Sequence, residues 1–341
     1  MFLQIPRELR DQIYVCLFAS TRITFGEKYI SRITTKTMKP APNSLAILRT
    51  CRQINQEAGA FWLGHVLFNF EHPEDLLDKL SKLPPTTLSQ IRHLRTSGRP
   101  LMLQPIGYGD DVFYRLVWAL KLLPGLRLHR LTVLGGSSGE IGYDTLDGLI
   151  KYGNGWRELR FITLDSAMHQ FTEMDFLGNL DWDKPQPSTW EEILRQRDGA
   201  DSGASITIYR SIQSDAPGAV MNPYRRQILE GALPREPGKL GVTDTENMEL
   251  RAKEEGKEVL FVVKRGHAAE IAEQDGPPYT LEDDIRQWAH GMTWNEIRRQ
   301  CIDFHVDEDM DVDDFFHTEK DDEVEVNNYK DVDEYEWDPV N

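Results

Sequence analysis

Beyond residue 70 the chain alternates short runs of apolar, β-branched residues with short amphipathic segments, and this alternation restricts the fold more than any other feature. Runs at 91–96, 128–134, 158–164, 205–209 and 258–263 read as strands. Between them lie helical patterns. One is opened by Asp110 or Asp111, carries Phe113, Leu116, Val117 and Leu120, and is stopped at Pro124-Gly125. Another is opened by Asp144 and carries Leu146, Leu149 and Ile150, with Gly153-Asn154-Gly155 as its C-cap and turn. A third is opened by Ser188-Thr189-Trp190-Glu191 in the form of a capping box. Strands joined through helices pair in parallel, with the helices as crossovers. Val259-Leu260-Phe261-Val262-Val263 shows no alternation, which predicts burial on both faces. The spacing between runs is irregular, so no strict repeat is present. The expected fold class is α/β, a degenerate, curved, leucine-rich layer of mostly parallel strands with alternating helices. A closed or doubly wound sheet remains open. Residues 211–256, rich in Pro, Gly and charge, read as one long loop. The segment 189–196 echoes 293–300, and both look like capped helix starts with a tryptophan in the first turn.

Residues 1–70 read differently. Ile5, Leu9, Ile13 and Leu17 recur every fourth residue and fall along one side of a helix. Pro6 stands where a first-turn proline is tolerated, and Glu8 where a negative charge suits the helix dipole. Arg22 to Thr35, rich in β-branched residues around Gly26, predicts a hairpin. A second helix is expected from Asn43 or Ser44 through Trp62, followed by a strand at 66–70. The plain expectation for the first helix is that its apolar stripe packs on Leu48, Cys51, Ile54 and Ala58.

The net charge of −17 is not spread evenly. From Asp303 to Asn341 there are 17 acidic residues against two lysines, which leaves the other 302 residues at −2. Such a block predicts a solvated, disordered arm. It repels nucleic acid and anionic membranes, so neither is an expected partner. The division expected is 1–70, 71–302 and the tail 303–341. Cys16, Cys51 and Cys301 are too scattered for a disulfide framework or a zinc site, which fits a reducing compartment. With no signal peptide pattern and no membrane-length apolar run, a cytoplasmic or nuclear location is expected.

Catalytic signatures are sparse. Gly135-Gly136-Ser137-Ser138-Gly139 matches the G-x-S-x-G elbow between a strand and a helix, with Ser137 as the candidate nucleophile. Asp165 with His169, or Asp244 with His267, stand in the right order to complete a serine hydrolase. A plain Gly/Ser loop explains the same residues. The glycines miss the dinucleotide and P-loop spacings. Asp307, Asp309, Asp311 and Asp313 alternate like a calcium loop but lack its glycine and terminal glutamate. No metal or cofactor is expected, and none of the nine histidines forms a ligand cluster.

Ile5-Pro6-Arg7-Glu8-Leu9-Arg10-Asp11-Gln12-Ile13-Tyr14, followed by Leu48-Arg49-Thr50-Cys51-Arg52-Gln53-Ile54-Asn55-Gln56-Glu57-Ala58, resembles the F-box-like N-terminal module of filamentous fungal proteins. Tyr143 to Ser166 is similar to segments that follow that module. The resemblance implies a non-enzymatic substrate receptor, binding the Skp-type adaptor of a cullin–RING ubiquitin ligase and presenting a target through the later domain. Carried over by position, Ile5, Pro6, Leu9 and Ile13 are the implied adaptor contacts, a helix face laid in an apolar groove. The alternatives are a standalone scaffold with a purely structural N-terminal module and, more remotely, a serine hydrolase using Ser137.

Overall fold

The structure is a computed structural model that describes residues 2–29, 35–38, 45–106, 112–135, 139–166, 173–174, 180–181, 187–213, 218–229, 256–274 and 284–301. Nine of its strands join in a single mixed sheet. They are β1 (Arg22–Tyr29), β2 (Thr35–Met38), β3 (Leu67–Phe70), β4 (His93–Ser97), β5 (Leu128–Leu134), β6 (Trp156–Thr163), β7 (Ser205–Ser211), β8 (Arg226–Ile228) and β9 (Val259–Lys264). Their order is β8-β7-β9-β6-β5-β4-β3-β1-β2. The main helices are α1 (Arg7–Ala19), α2 (Arg52–Ala58), α3 (Pro73–Leu80), α4 (Leu116–Leu120), α5 (Gly139–Tyr152), α6 (Pro187–Asp198) and α7 (Trp294–Arg299). The chain is therefore mixed α/β.

From β1 through β6 every neighbouring pair is parallel. These strands follow one another in space in chain order, apart from β2, which turns back antiparallel onto β1. The parallel expectation ends at β6. There β9 pairs antiparallel with both β6 and β7, so it fills the gap between two strands that run the same way. A run of β-branched residues does not encode the direction of its partner, which is why the sequence leaves this insertion unseen.

The two faces of the sheet differ in kind. On one face Ile206, Val263, Leu159, Leu131, Leu94, Phe68 and Ile23 lie in register across seven strands. The buried side chains of α1 to α7 join this face in one core, with Tyr14, Phe18, Leu77, Leu149, Leu194 and Ile297 among them. On the opposite face the matching row reads Thr207, Val262, Arg160, Thr132, Arg95, Asn69 and Thr24. Among the described residues that face carries a small apolar cluster, in which Val220 packs with Ile162 and Leu260. As predicted, β9 is buried on both sides: Val259, Phe261 and Val263 belong to the main core and Leu260 to the small one.

Local chemistry moves several boundaries. Gly26 is not the hairpin turn, because β1 runs straight through it to Tyr29. Its φ of +110° suits glycine, and a Cβ there would meet the Asp75 carboxylate of α3 at 2.3 Å. The helix expected over 43–62 is broken into a 3₁₀ turn at Ala46–Arg49, then α2, then Trp62–His65. The break is at Cys51, whose backbone is extended (φ −159°, ψ 164°) and whose Sγ accepts from the Ile54 N–H at 3.5 Å. Asn43 and Ser44 lie outside the described residues. Val112–Tyr114 pairs with Leu101–Leu103 rather than starting a helix, so α4 begins only after Arg115. α5 opens at Gly139, five residues before the expected cap, and Asp144 instead accepts from Arg115 at 2.9 Å. α6 opens at Pro187, which places Ser188 and Thr189 inside its first turn rather than at a capping box. The expected loop 211–256 contains β8, and its residues 230–255 lie outside the described set.

The echoed segments share a packing device. Thr293 and Glu296 form a true capping box. Trp190 and Trp294 are both buried, and each indole N–H donates to an aspartate of a neighbouring helix, Asp147 at 3.0 Å and Asp78 at 2.7 Å. At the edge where the parallel strands begin, buried charges are paired. Arg265 grips Asp198 at 2.6 Å, and Lys121 donates to Glu273 at 2.8 Å. Arg197 donates to the carbonyls of Ile150 and Gly153, closing the C-terminus of α5.

Candidate functional site: an apolar strip on the first helix

α1 begins right after Pro6, whose backbone (φ −49°, ψ 145°) is still extended. Arg7 and Asp11 pair one turn apart at 2.6 Å, and the last carbonyls are met by Ser20 and Thr21, whose hydroxyls donate to the Leu17 carbonyl. The buried side of this helix is Arg10, Tyr14 and Phe18. The expected packing of Ile5, Leu9, Ile13 and Leu17 into the core is therefore incorrect. The true inward stripe has the same period of four but is displaced by one residue, about 100° around the helix.

A charged network drives that rotation. Glu57 of α2 is 6 % exposed and accepts from Arg10 at 2.6 and 2.9 Å, from Tyr14 at 3.0 Å and from Gln53 at 3.0 Å. The Arg10 guanidinium also donates to the carbonyls of Leu3 and Ile5, which folds the N-terminal residues back along α1. The Arg10 hydrogen bonds, followed by that from Gln53, hold the Glu57 carboxyl at about 2, well below its usual range. Below the network, Tyr14 and Phe18 enter the core with Ile54 and Ala58.

With Arg10 turned inward, Leu9 (49 % exposed), Ile13 (41 %) and Leu17 (38 %) face outward in a row, with Leu3 (42 %) ahead of them. Pro6 and Cys16 are also exposed, and Ile5 is half-buried. Of the residues implied as adaptor contacts, Pro6, Leu9 and Ile13 thus stand in solvent, and Ile5 lies at the margin. An apolar strip at i, i+4 and i+8 on a helix anchored through its adjacent face has the form of a docking ridge. Sequence reasoning missed the anchors. Their signal was present: Arg10 and Tyr14 are one turn apart in the first motif segment, and Glu57 is the single acid of α2.

Ser137, His169, Asp244 and the acidic alternation from Asp307 lie outside the described residues. α5 opens two residues after Ser137, so a strand and a helix do flank the serine. Lys264 is opposite Glu158 where β6 begins, and His267 follows there, bonded to Ser202. Leu134, the last residue of β5, is at the far end of the sheet, roughly 20 Å along the strands. Asp165 lies just past β6, and its carbonyl accepts from Thr163. Among the described residues no group of three or more His, Cys, Asp or Glu side chains could hold a metal ion, and no helix is long and apolar enough to cross a membrane. No family model, curated protein or solved structure matches the chain.

Proposed function

We propose that the chain is a non-enzymatic interaction protein whose α1 strip docks on the Skp-type adaptor of a cullin–RING ligase, the later α/β region serving as a leucine-rich-like target receptor. The observation that carries this reading is the outward row of Leu9, Ile13 and Leu17 on a helix fixed through the neighbouring side. A soluble protein that leaves such a row in water bears a cost that a partner helix groove would remove, about 25 cal/mol for each Å² covered. The N-terminal residues bent back by Arg10 add Leu3 and Pro6 to the same surface. The one-way march of strands from β3 to β6, with helices on one side, is the arrangement a leucine-rich layer requires.

The scaffold reading is favoured by a different observation. β1 and β3 extend the same sheet as the later strands, and Tyr14 and Phe18 sit in the main core, so the N-terminal module has a structural duty as well. One experiment separates the two. Purified Skp-type adaptor is used to recover wild type, Leu9→Asp and Ile13→Asp. The receptor reading expects wild type to be captured and each variant to lose at least tenfold in affinity while keeping its circular dichroism spectrum. No capture of wild type refutes it and leaves the scaffold. Unfolding of both variants also counts against it, since residues of a free surface tolerate charge.

A further inference from the structure

Where β4, β5 and β6 begin, the three strands repeat one pattern side by side. Arg92 stands between the buried Ile91 and Leu94, His129 between Leu128 and Leu131, and Arg157 between Trp156 and Leu159. The register makes them neighbours. His93 is opposite Arg130 and Leu128 opposite Trp156, so Arg92 adjoins His129 and His129 adjoins Arg157. Arg127 and His129 are exposed, and Arg92 and Arg157 half-buried, so the group opens on solvent. Like charges on adjacent strands repel. His129 is held below its ordinary value, first by partial burial and then by the charges of Arg92, Arg157, His65 and Arg127. Arg92 is lowered too, by burial and then by Arg127.

Carbonyls rather than carboxylates hold these guanidiniums. Arg92 Nη1 donates to the carbonyls of Ser89 and Arg127. Arg157 Nη1 donates to those of Gly266 at 2.5 Å and His267 at 3.0 Å, and its Nη2 reaches Ala269 at 3.5 Å. Such bonds fix the place of a charge without cancelling it. Among the described residues none of Arg92, Arg127 and Arg157 forms an ion pair, and Nε and Nη2 of Arg92, Nε of Arg157 and the whole Arg127 guanidinium make no bond within the protein. Two acids stand close. Glu158 is engaged by Arg130 and Arg160. Glu270 accepts from the Ala272 N–H at 3.0 Å, and its carboxyl is lowered first by that bond and further by Arg127 and Arg157. It offsets the field only in part, one carboxylate against three guanidiniums.

We propose that Arg92, Arg127 and Arg157, with His129 among them, form a surface site for a phosphate group. A phosphate monoester brings about two negative charges and three acceptor oxygens, which suit three guanidinium forks better than the single charge and two oxygens of a carboxylate. The site spans three adjacent strands, roughly 10 Å, which is room for one such group rather than for a polymer backbone. No residue of α1 takes part, so the site stands or falls independently of adaptor docking.

The test uses the full chain labelled with nitrogen-15. Arginine Nε–Hε and His129 ring signals are followed by NMR near neutral pH at constant ionic strength. Inorganic phosphate should shift the Arg92, Arg157 and His129 signals saturably, with an affinity at least tenfold above that of acetate. Arg127→Gln, which breaks no bond of the fold, should weaken phosphate at least threefold. Arg92→Gln/Arg157→Gln should weaken it at least tenfold, and Arg99→Gln, exposed beyond the other end of β4, should not. Glu270→Gln keeps an acceptor for Ala272 while removing the competing charge, and should tighten phosphate binding. A short phosphoserine peptide that binds at least tenfold tighter than inorganic phosphate makes a phosphorylated protein the source of the group; any smaller gain makes it a free phosphate compound. Shifts that do not saturate, that acetate reproduces, or that Arg127→Gln and Glu270→Gln leave unaltered would overturn the proposal.

Discussion

Leu9 and Phe18 belong to the same helix and should respond very differently to truncation. Phe18 has no exposed surface and lies in the main core with Tyr14, Ile54 and Ala58. Phe18→Ala removes that ring and leaves a cavity, at a cost of about 3–5 kcal/mol. Leu9 is half exposed in the folded protein. Leu→Ala deletes three carbon atoms, worth about 2.4 kcal/mol when fully buried. With half of that surface already in water, the loss is about 1 kcal/mol, trimmed slightly by the better helix propensity of alanine. Urea titration followed by circular dichroism reads both, through the shift of midpoint at constant slope. In a domain of this size about 1 kcal/mol moves the melting temperature by about 2–4 °C, so the two variants should differ by roughly 5–15 °C. If Leu9→Ala is as damaging as Phe18→Ala, the strip is packed inside the folded protein and its description as a free ridge is incorrect.

Other outcomes follow from the paired charges and the backbone. Glu57 is held at about 2, against 4.5 for an ordinary glutamate, so its contribution is complete above pH 4.5 and is lost as pH falls toward 2. Thermal melts from pH 6 to 2 should show a steeper acid loss in wild type than in Glu57→Gln, which starts less stable and changes less. Lys121→Met strands the buried Glu273 carboxylate, whose pKa is already raised by burial. That should cost about 3–5 kcal/mol near neutral pH in a urea titration. Part of the loss should return in the double variant Lys121→Met/Glu273→Gln, in which no charge is left unpaired. Gly26→Ala should destabilise by more than about 1 kcal/mol, because φ of +110° and the Asp75 carboxylate both oppose a Cβ. Gly64→Ala, with no left-handed backbone and no atom nearer than 3.9 Å to the added Cβ, serves as the comparison in the same denaturation assay.

The strands were readable because their signal is local. Leu128 to Leu134 matches its run residue for residue, and the doubly buried Val259 to Val263 follows from its lack of alternation. The direction of pairing was not readable beyond β6, since the position of β9 depends on where α6 carries β7 rather than on either strand's own residues. The inward face of α1 was also hidden. Apolar periodicity selects Leu9, Ile13 and Leu17, whereas the structure buries an arginine whose partner lies 47 residues away. Hydrophobic pattern alone cannot rank a buried ion pair against a leucine stripe, because the gain is held by the distant carboxylate. The same blind spot produced the useful result: the residues implied as contacts were named from the motif, and Arg10 is what turns Pro6, Leu9 and Ile13 outward.

The late arrival of β9 has a cost during synthesis. Everything from β1 to β6 can assemble as it leaves the ribosome, each strand beside its predecessor, while β7 has no seat until residues 259–264 emerge. Until then two bare margins, those of β6 and β7, offer unpaired N–H and C=O groups across a slot one strand wide, roughly 10 Å between backbones. A message truncated anywhere in the 47 codons between β7 and β9 would therefore yield a polypeptide primed to capture a stranger's strand in place of its own.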